Sequence, residues 1–298
     1  MSMVAAGLLA SGAFVAGLLL VTAVLHAAAA RARRREPPRC HGDEEPLGAA
    51  SQVALVLQEA AVGLALLLLG PLAWYERRPT PLGPDDRLPI VLVHGYLGTR
   101  ANFFWLRRRL AREGWRHVYA VAVPPAFSSV AHGADRLADA IDALRRATGA
   151  PQVDVIAHSM GGLLVRELVC RNRRDSGVRR VVTLGTPHQG TRALAWLAVD
   201  PMLREVRPDS PTLTVLATDD PVPALVDFIA LYSADDVLVI PPSNAYYPGA
   251  FNIEVRGVGH RGLLVRRRVH DLIVENLLPD SAARAATPAA APRAGGAA

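Results

Sequence analysis

The chain has 298 residues, 51% of them hydrophobic, which excludes a disordered polypeptide and is enough to build a sizeable core. Its formal charge of +6 and pI near 10 rest on arginine alone, because all 33 basic residues are arginines and no lysine occurs. Clusters at 107–109, at 171, 173 and 174, and at 266–268 fall on predicted helices without interleaved aromatics, so they read as solvated helix faces and imply no nucleic-acid partner. Two cysteines exclude a disulfide framework. Cys40 lies in an arginine-rich linker, and Cys170 sits in an apolar helical pattern as a small core side chain. The nine histidines are scattered without ligand spacing, so no metal site is expected.

In chain order, the first element is an apolar run from Val4 to Ala30, 27 residues without a formal charge. About 20 such residues span a bilayer. No basic residue precedes the run and arginines follow it, the reverse of a cleaved signal peptide, so it reads as a signal anchor. The second run, Ala49 to Tyr75, is interrupted by Gln58 and Glu59 and ends on Trp74-Tyr75, which suit a membrane–water interface. It reads either as a second span or as a helix lying on the membrane or against the following domain. Between the runs, arginines 31, 33, 34, 35 and 39 place the short loop in the cytoplasm by the positive-inside rule. Two spans therefore put the rest of the chain on the exoplasmic side of the cell membrane; losing the second span reverses this.

The sequence divides into a membrane anchor over 1–78 (helices about 4–30 and 50–75), a Pro/Gly-rich linker over 79–88, an α/β domain over 89–280, and a disordered Ala/Pro/Arg/Gly tail over 281–298. Within the domain, strand-like runs are expected at Ile90–Val93, Val118–Val123, Val153–Ala157, Arg180–Leu184, Asp227–Tyr232 and Asn252–Arg256. They alternate with helical patterns at Asn102–Glu113, Val130–Thr148, Gly161–Arg174 and Gly262–Leu278. That alternation implies a mostly parallel sheet with helices on both faces. A stretch over 191–223 with five prolines interrupts it, and reads as either a cap over a pocket or a surface loop with one short helix.

The segment PQVDVIAHSMGGLLVRELV carries the chemistry. A strand ends at Ala157, His158-Ser159-Met160 turns, and Gly161-Gly162 opens a helix, which is the nucleophile-elbow arrangement. Strand and helix approach closely there, so the positions two before and two after the serine must be small; Ala157 and Gly161 fill them. A serine hydroxyl needs a base. Of the histidines downstream, His270 lies within a helical pattern and His188 follows a strand too soon to leave room for an acid-bearing strand. His260, in RGVGHRGLL, stands on a Gly-flanked loop after the last strand and is the candidate base. The acid is expected after the preceding strand, in ALYSADDVLVIPP, where Asp235 and Asp236 are equally open. The oxyanion hole is assigned to the backbone N–H groups of Met160 and of Tyr96, the latter in LPIVLVHGYLG. His94 there reads as a turn histidine outside the proton transfer. Leu97, Phe103, Phe104 and Trp105 read as the core face of the first helix or the lining of an acyl pocket.

With VLVHGYLG, AHSMGG, TLGTPHQGT, YSADDVLVIPP and GVGHRGLL in this order, the chain from about Leu88 to Leu278 resembles the bacterial lipase/esterase branch of the α/β-hydrolases. The resemblance implies the α/β-hydrolase fold and a serine carboxylic-ester hydrolase that works through an acyl-enzyme, with no cofactor. It implies an acyl ester or lipid as substrate, and it favours Asp236, three residues after Ser233, over Asp235. The same machinery also serves transacylases and amidases, and a catalytically silent membrane scaffold could retain the fold. The N-terminal membrane region lies outside the pattern of the small secreted lipases.

Overall fold

The computed structural model describes residues 48–278, except 75, 77, 85, 123–127, 174, 194–199 and 219, together with residues 17, 20, 22–24, 27 and 31. Apart from those few positions, the first apolar run, the arginine-rich linker with Cys40 and the tail from 281 lie outside the described residues.

Six parallel strands form one sheet: β1 (Ile90–Val93), β2 (Val118–Val121), β3 (Val153–His158), β4 (Val178–Leu184), β5 (Asp227–Ser233) and β6 (Phe251–Val255), in the order β2-β1-β3-β4-β5-β6. β1 is an unbroken Val/Ile/Leu run, and every residue of β1 and β3 is buried, because both faces of a parallel sheet are covered. Alternate residues face opposite layers. Val91 and Val93 pack with Leu137, Ile141 and Leu164, whereas Ile90 and Leu92 pack with Leu106, Leu110, Val269 and Ile273.

Helices α3 (Val130–Thr148) and α4 (Gly161–Arg171) therefore cover one face, and α2 (Phe104–Arg112) and α8 (Arg267–Leu277) the other. α3 buries Val130, Ala134, Leu137, Ile141 and Leu144 at helical spacing. The Ser129 hydroxyl caps its start by accepting from His132 N–H, and Gly149 in the left-handed conformation ends it. The continuous helix expected over 262–278 is divided. A single 3-10 turn (Gly262–Leu264) precedes α8, with Arg266 extended between them. His270 Nε2–H donates to Leu264 O across the break (2.8 Å).

The proline-rich stretch holds three short helices, α5 (Pro201–Glu205), α6 (Pro211–Ala217) and α7 (Val222–Leu225), instead of one. Met202, Leu203, Val206, Leu213, Leu216 and Val222 are buried in the core layer of α3 and α4. The stretch is thus packed on the domain through its own apolar side chains.

The helix within the second apolar run, α1 (Ala49–Leu68), is long and apolar enough to cross a membrane by length and composition. It is also docked. Leu55, Glu59 and Ala60 are buried on one face, while Val53, Leu57, Leu67 and Leu68 stay exposed. Beyond it, Glu76 accepts both guanidinium arms of Arg107 (2.8 and 3.0 Å) and the N–H of Ala120 (3.3 Å), tying the segment before the linker to the sheet.

Candidate active site

Ser159 directly follows β3 with φ +56°, a left-handed conformation that costs a non-glycine residue on the order of 1–3 kcal/mol. The surrounding structure holds it there. Ser159 N–H donates to Leu184 O (2.8 Å), its carbonyl accepts from the Thr186 hydroxyl (2.7 Å), and Gly162 N–H closes the turn onto the same carbonyl (3.0 Å). Room for the turn depends on missing side chains. A Cβ on Gly162 would lie 2.2 Å from Thr186 Oγ1, and one on Gly161 would lie 2.7 Å from Val93 O. A Cβ on Gly95 would lie 2.7 Å from that of Ser159, so the loop after β1 touches the candidate nucleophile directly. Ala157, fully buried, is tolerated at the other small position.

His260 and Asp236 face each other at 2.6 Å between Nδ1 and Oδ2, both buried. The carboxylate is itself oriented, since Oδ1 accepts from Leu238 N–H (2.7 Å) and Val239 N–H (3.0 Å). The geometry separates the adjacent aspartates. Asp235 turns away and accepts Gly257 N–H (2.7 Å), pinning the loop that leads to His260. With Nδ1–H donated to Asp236, Nε2 of His260 is left as the basic nitrogen.

His158, given no role by its sequence pattern, links the two halves of the site. Its Nε2–H donates to the carbonyl of His260 (3.1 Å), and the two rings lie 4.6 Å apart. Burial, with the neighbouring His260 adding to it, holds its pKa well below the ordinary histidine range, so it stays neutral. Gly185 sits at the same junction, where a Cβ would come 2.9 Å from Asp236 Oδ2 and 3.3 Å from His260 Nδ1. Ser159, His260 and Asp236 thus share the carboxyl-terminal edge of the sheet.

Among the described residues, the backbone N–H groups of Tyr96 and Met160 have no acceptor, and Met160 precedes the first turn of α4. The helix dipole and such unpaired amides favour negative charge there. The Tyr96 loop is anchored from the other side. Its hydroxyl donates to Asp200 Oδ2 (2.6 Å), the cap of α5, and burial with this carboxylate raises its pKa to about 12.

The remaining candidates fall outside the chemistry. His94 Nδ1–H donates to Gly95 O (2.9 Å), and burial lowers its pKa. His188 stacks on Tyr247 (4.4 Å) and bonds the Thr183 hydroxyl. Burial pushes the Cys170 thiol up to about 11, which favours its uncharged form over the thiolate. Phe103 is core, whereas Leu97, at φ +52°, is largely exposed on the rim beside Tyr96.

Residues 89–219 match the family described as alpha/beta hydrolase fold. The chain is 36% identical over 112 residues to a triacylglycerol lipase of Vibrio cholerae, a match covering 36% of this chain and 35% of that protein. It therefore spans about a third of that curated relative. A Bacillus licheniformis lipase in its mature form aligns with TM-score 0.59 at 18% identity, over 68% of this chain and 97% of that one. A Pyrobaculum calidifontis esterase aligns with TM-score 0.56 at 16% identity, over 80% and 100%. At these identities the structures speak for the fold.

Proposed function

From the α/β-hydrolase fold that this chain carries, we propose that it is a membrane-associated serine carboxylic-ester hydrolase of the lipase/esterase type. The observation that carries the reading is Ser159, held in a left-handed turn at the start of α4 on the sheet edge that also holds the His260–Asp236 pair. His260 Nε2 takes the hydroxyl proton as Ser159 Oγ attacks the ester carbonyl. Asp236 fixes the tautomer and stabilises the imidazolium. The N–H groups of Tyr96 and Met160 receive the developing oxyanion. Collapse expels the alcohol, which takes its proton from His260, and water then releases the acid from the acyl-enzyme by the same steps. The Vibrio cholerae relative, named a triacylglycerol lipase, supports an acyl-ester or lipid substrate. The test is a p-nitrophenyl ester series of rising acyl length beside phospholipid. Hydrolysis that disappears in Ser159→Ala is expected; hydrolysis that survives the substitution refutes the reading.

The membrane side depends on α1. Two spans leave the catalytic domain exoplasmic. A specific observation favours the second reading, one span with a cytoplasmic domain. Glu59, the eleventh residue of the helix, bonds the domain backbone at the His260 loop, whereas an isolated crossing helix would carry it into hydrocarbon. A docked α1 lies at the surface with Val53, Leu57, Leu67 and Leu68 toward lipid, joined by Trp74 of the 3-10 segment (Gly70–Trp74) that follows it. Protease digestion of intact spheroplasts separates the two, because only an exoplasmic domain is degraded.

A further inference from the structure

We propose that Glu59, contributed by α1 from outside the family-matched region, is a positioning residue for His260. The proposal rests on the hydrolase reading above and adds a part to its active site.

The loop Gly259–Gly262 must hold an imidazole at a fixed place, although glycines flank it. Its polar groups are held from three directions. Asp236 takes Nδ1–H of the ring (2.6 Å), and His158 donates to the His260 carbonyl (3.1 Å). The third hold is the Glu59 carboxylate. Oε2 accepts from Arg261 N–H (2.9 Å) and Oε1 from Gly262 N–H (2.7 Å), the two peptide groups directly after the base. Those amides open a single 3-10 turn, so without this carboxylate one buried and one part-buried donor would be orphaned. Glu59 is 1% exposed, and bonds from both its oxygens to consecutive amides fix the loop in position and in tilt.

The fit between helix and loop is mutual. A Cβ on Gly259 would lie 2.4 Å from Glu59 Cγ and Cδ, so the glycine before the base lets the carboxylate lie against the loop backbone. One turn further along α1, Gly63 faces the Arg261 guanidinium at ordinary contact distance, and Gln58 bonds Arg266. Leu55, Glu59 and Gly63 share one stripe at i, i+4 and i+8, so the helix presents a continuous face to this loop. The opposite face carries exposed Val53 and Leu57. The helix that faces outward with apolar side chains therefore also sets the base.

Glu59→Gln conserves volume but turns an NH2 toward one of the two N–H donors, so one bond is lost and the loop must shift. A shift of about 1 Å at a catalytic group lowers turnover by up to about a hundredfold. The experiment is fluorophosphonate labelling of the full-length protein in detergent, reading separately the rate constant and the final stoichiometry, with kcat and KM on a p-nitrophenyl ester alongside. For Glu59→Gln we expect labelling and kcat to slow about ten- to hundredfold, with one label per chain at completion and KM within about twofold. Glu59→Asp, which keeps two acceptors, recovers part of the rate and gives the same reading if the Gln variant folds poorly. Gln58→Ala, which removes a neighbouring side chain of the same helix turn but leaves both acceptors of the two amides in place, should label within about twofold of the unsubstituted rate. Reduced stoichiometry with an unchanged rate constant means a merely structural role and overturns the proposal. Equal slowing in Gln58→Ala overturns it too. No labelling of the unsubstituted chain defeats the hydrolase reading itself, a different and recognisable result.

Discussion

The two edges of the sheet use charge in opposite ways. At the amino-terminal edge, Asp154 takes both arms of Arg179 (2.9 and 2.6 Å) and Arg180 pairs with Asp227 (3.0 Å), so carboxylates meet guanidinium groups where parallel strands begin side by side. At the carboxyl-terminal edge, Asp236 and Glu59 accept from backbone amides and from an imidazole. A carboxylate matched to arginine is spent on holding two strands together. On the proposed reading, Asp236, held by neutral N–H donors, is instead left to face the imidazolium of His260. The backbone strain follows the same division, with Ser159 and Leu97 at positive φ on the second edge.

The largest expected effect separates the adjacent aspartates at the carboxyl edge. Asp236→Asn should lower kcat by about 10³–10⁴, because the amide cannot hold the required tautomer, whereas Asp235→Asn should stay within about tenfold. Steady-state kinetics on one soluble ester decides it, and similar losses in both variants would erase the distinction. Next comes Gly162→Ala. Its new methyl would overlap the Thr186 side chain beside the turn, so a lower Tm by calorimetry together with lost labelling is expected, at a cost of about 1–3 kcal/mol or more.

A change at the amino edge should do the reverse. Asp154→Asn is expected to cost about 1–3 kcal/mol of stability, below the value for a fully buried pair because Arg179 is a third exposed, with kcat within about twofold. A drop in kcat without a drop in Tm would break the comparison.

A change of pH should move stability without any substitution. Burial lowers the pKa of His94, His158, His188 and His270 below the ordinary 6.5, so at acid pH the unfolded chain binds protons that the folded chain does not. Stability is then full above about pH 6.5 and falls as pH drops from there toward the depressed folded values, by up to about 1.4 kcal/mol per pH unit per histidine. Thermal melts from pH 7.5 to 5 should show the decline, and a flat Tm would contradict it.

Much of this was legible in the residues. The short apolar-rich runs and the AHSMGG turn follow from rules that act over a few residues, and all six strands lie within a few residues of their expected places. The choice between Asp235 and Asp236 is not local. It depends on which carboxylate the turn aims at a loop some 24 residues later, and only the family resemblance pointed to it. The short helices α5 and α6 were hidden by reading proline as a breaker, although Asp200-Pro201 and Ser210-Pro211 are capping residues followed by proline in the first turn, a start signal. Glu59 acts across 203 positions of sequence, yet it left one trace, a carboxylate interrupting an otherwise apolar run. His158 left none.

The most direct test asks which atom becomes covalently bonded. The unsubstituted protein is treated with a fluorophosphonate, digested, and its peptides sequenced by tandem mass spectrometry. A single phosphonyl adduct on Ser159, absent from His260→Ala on the same timescale, is the predicted result. An adduct on another residue, or undiminished labelling of Ser159 without His260, would contradict the account.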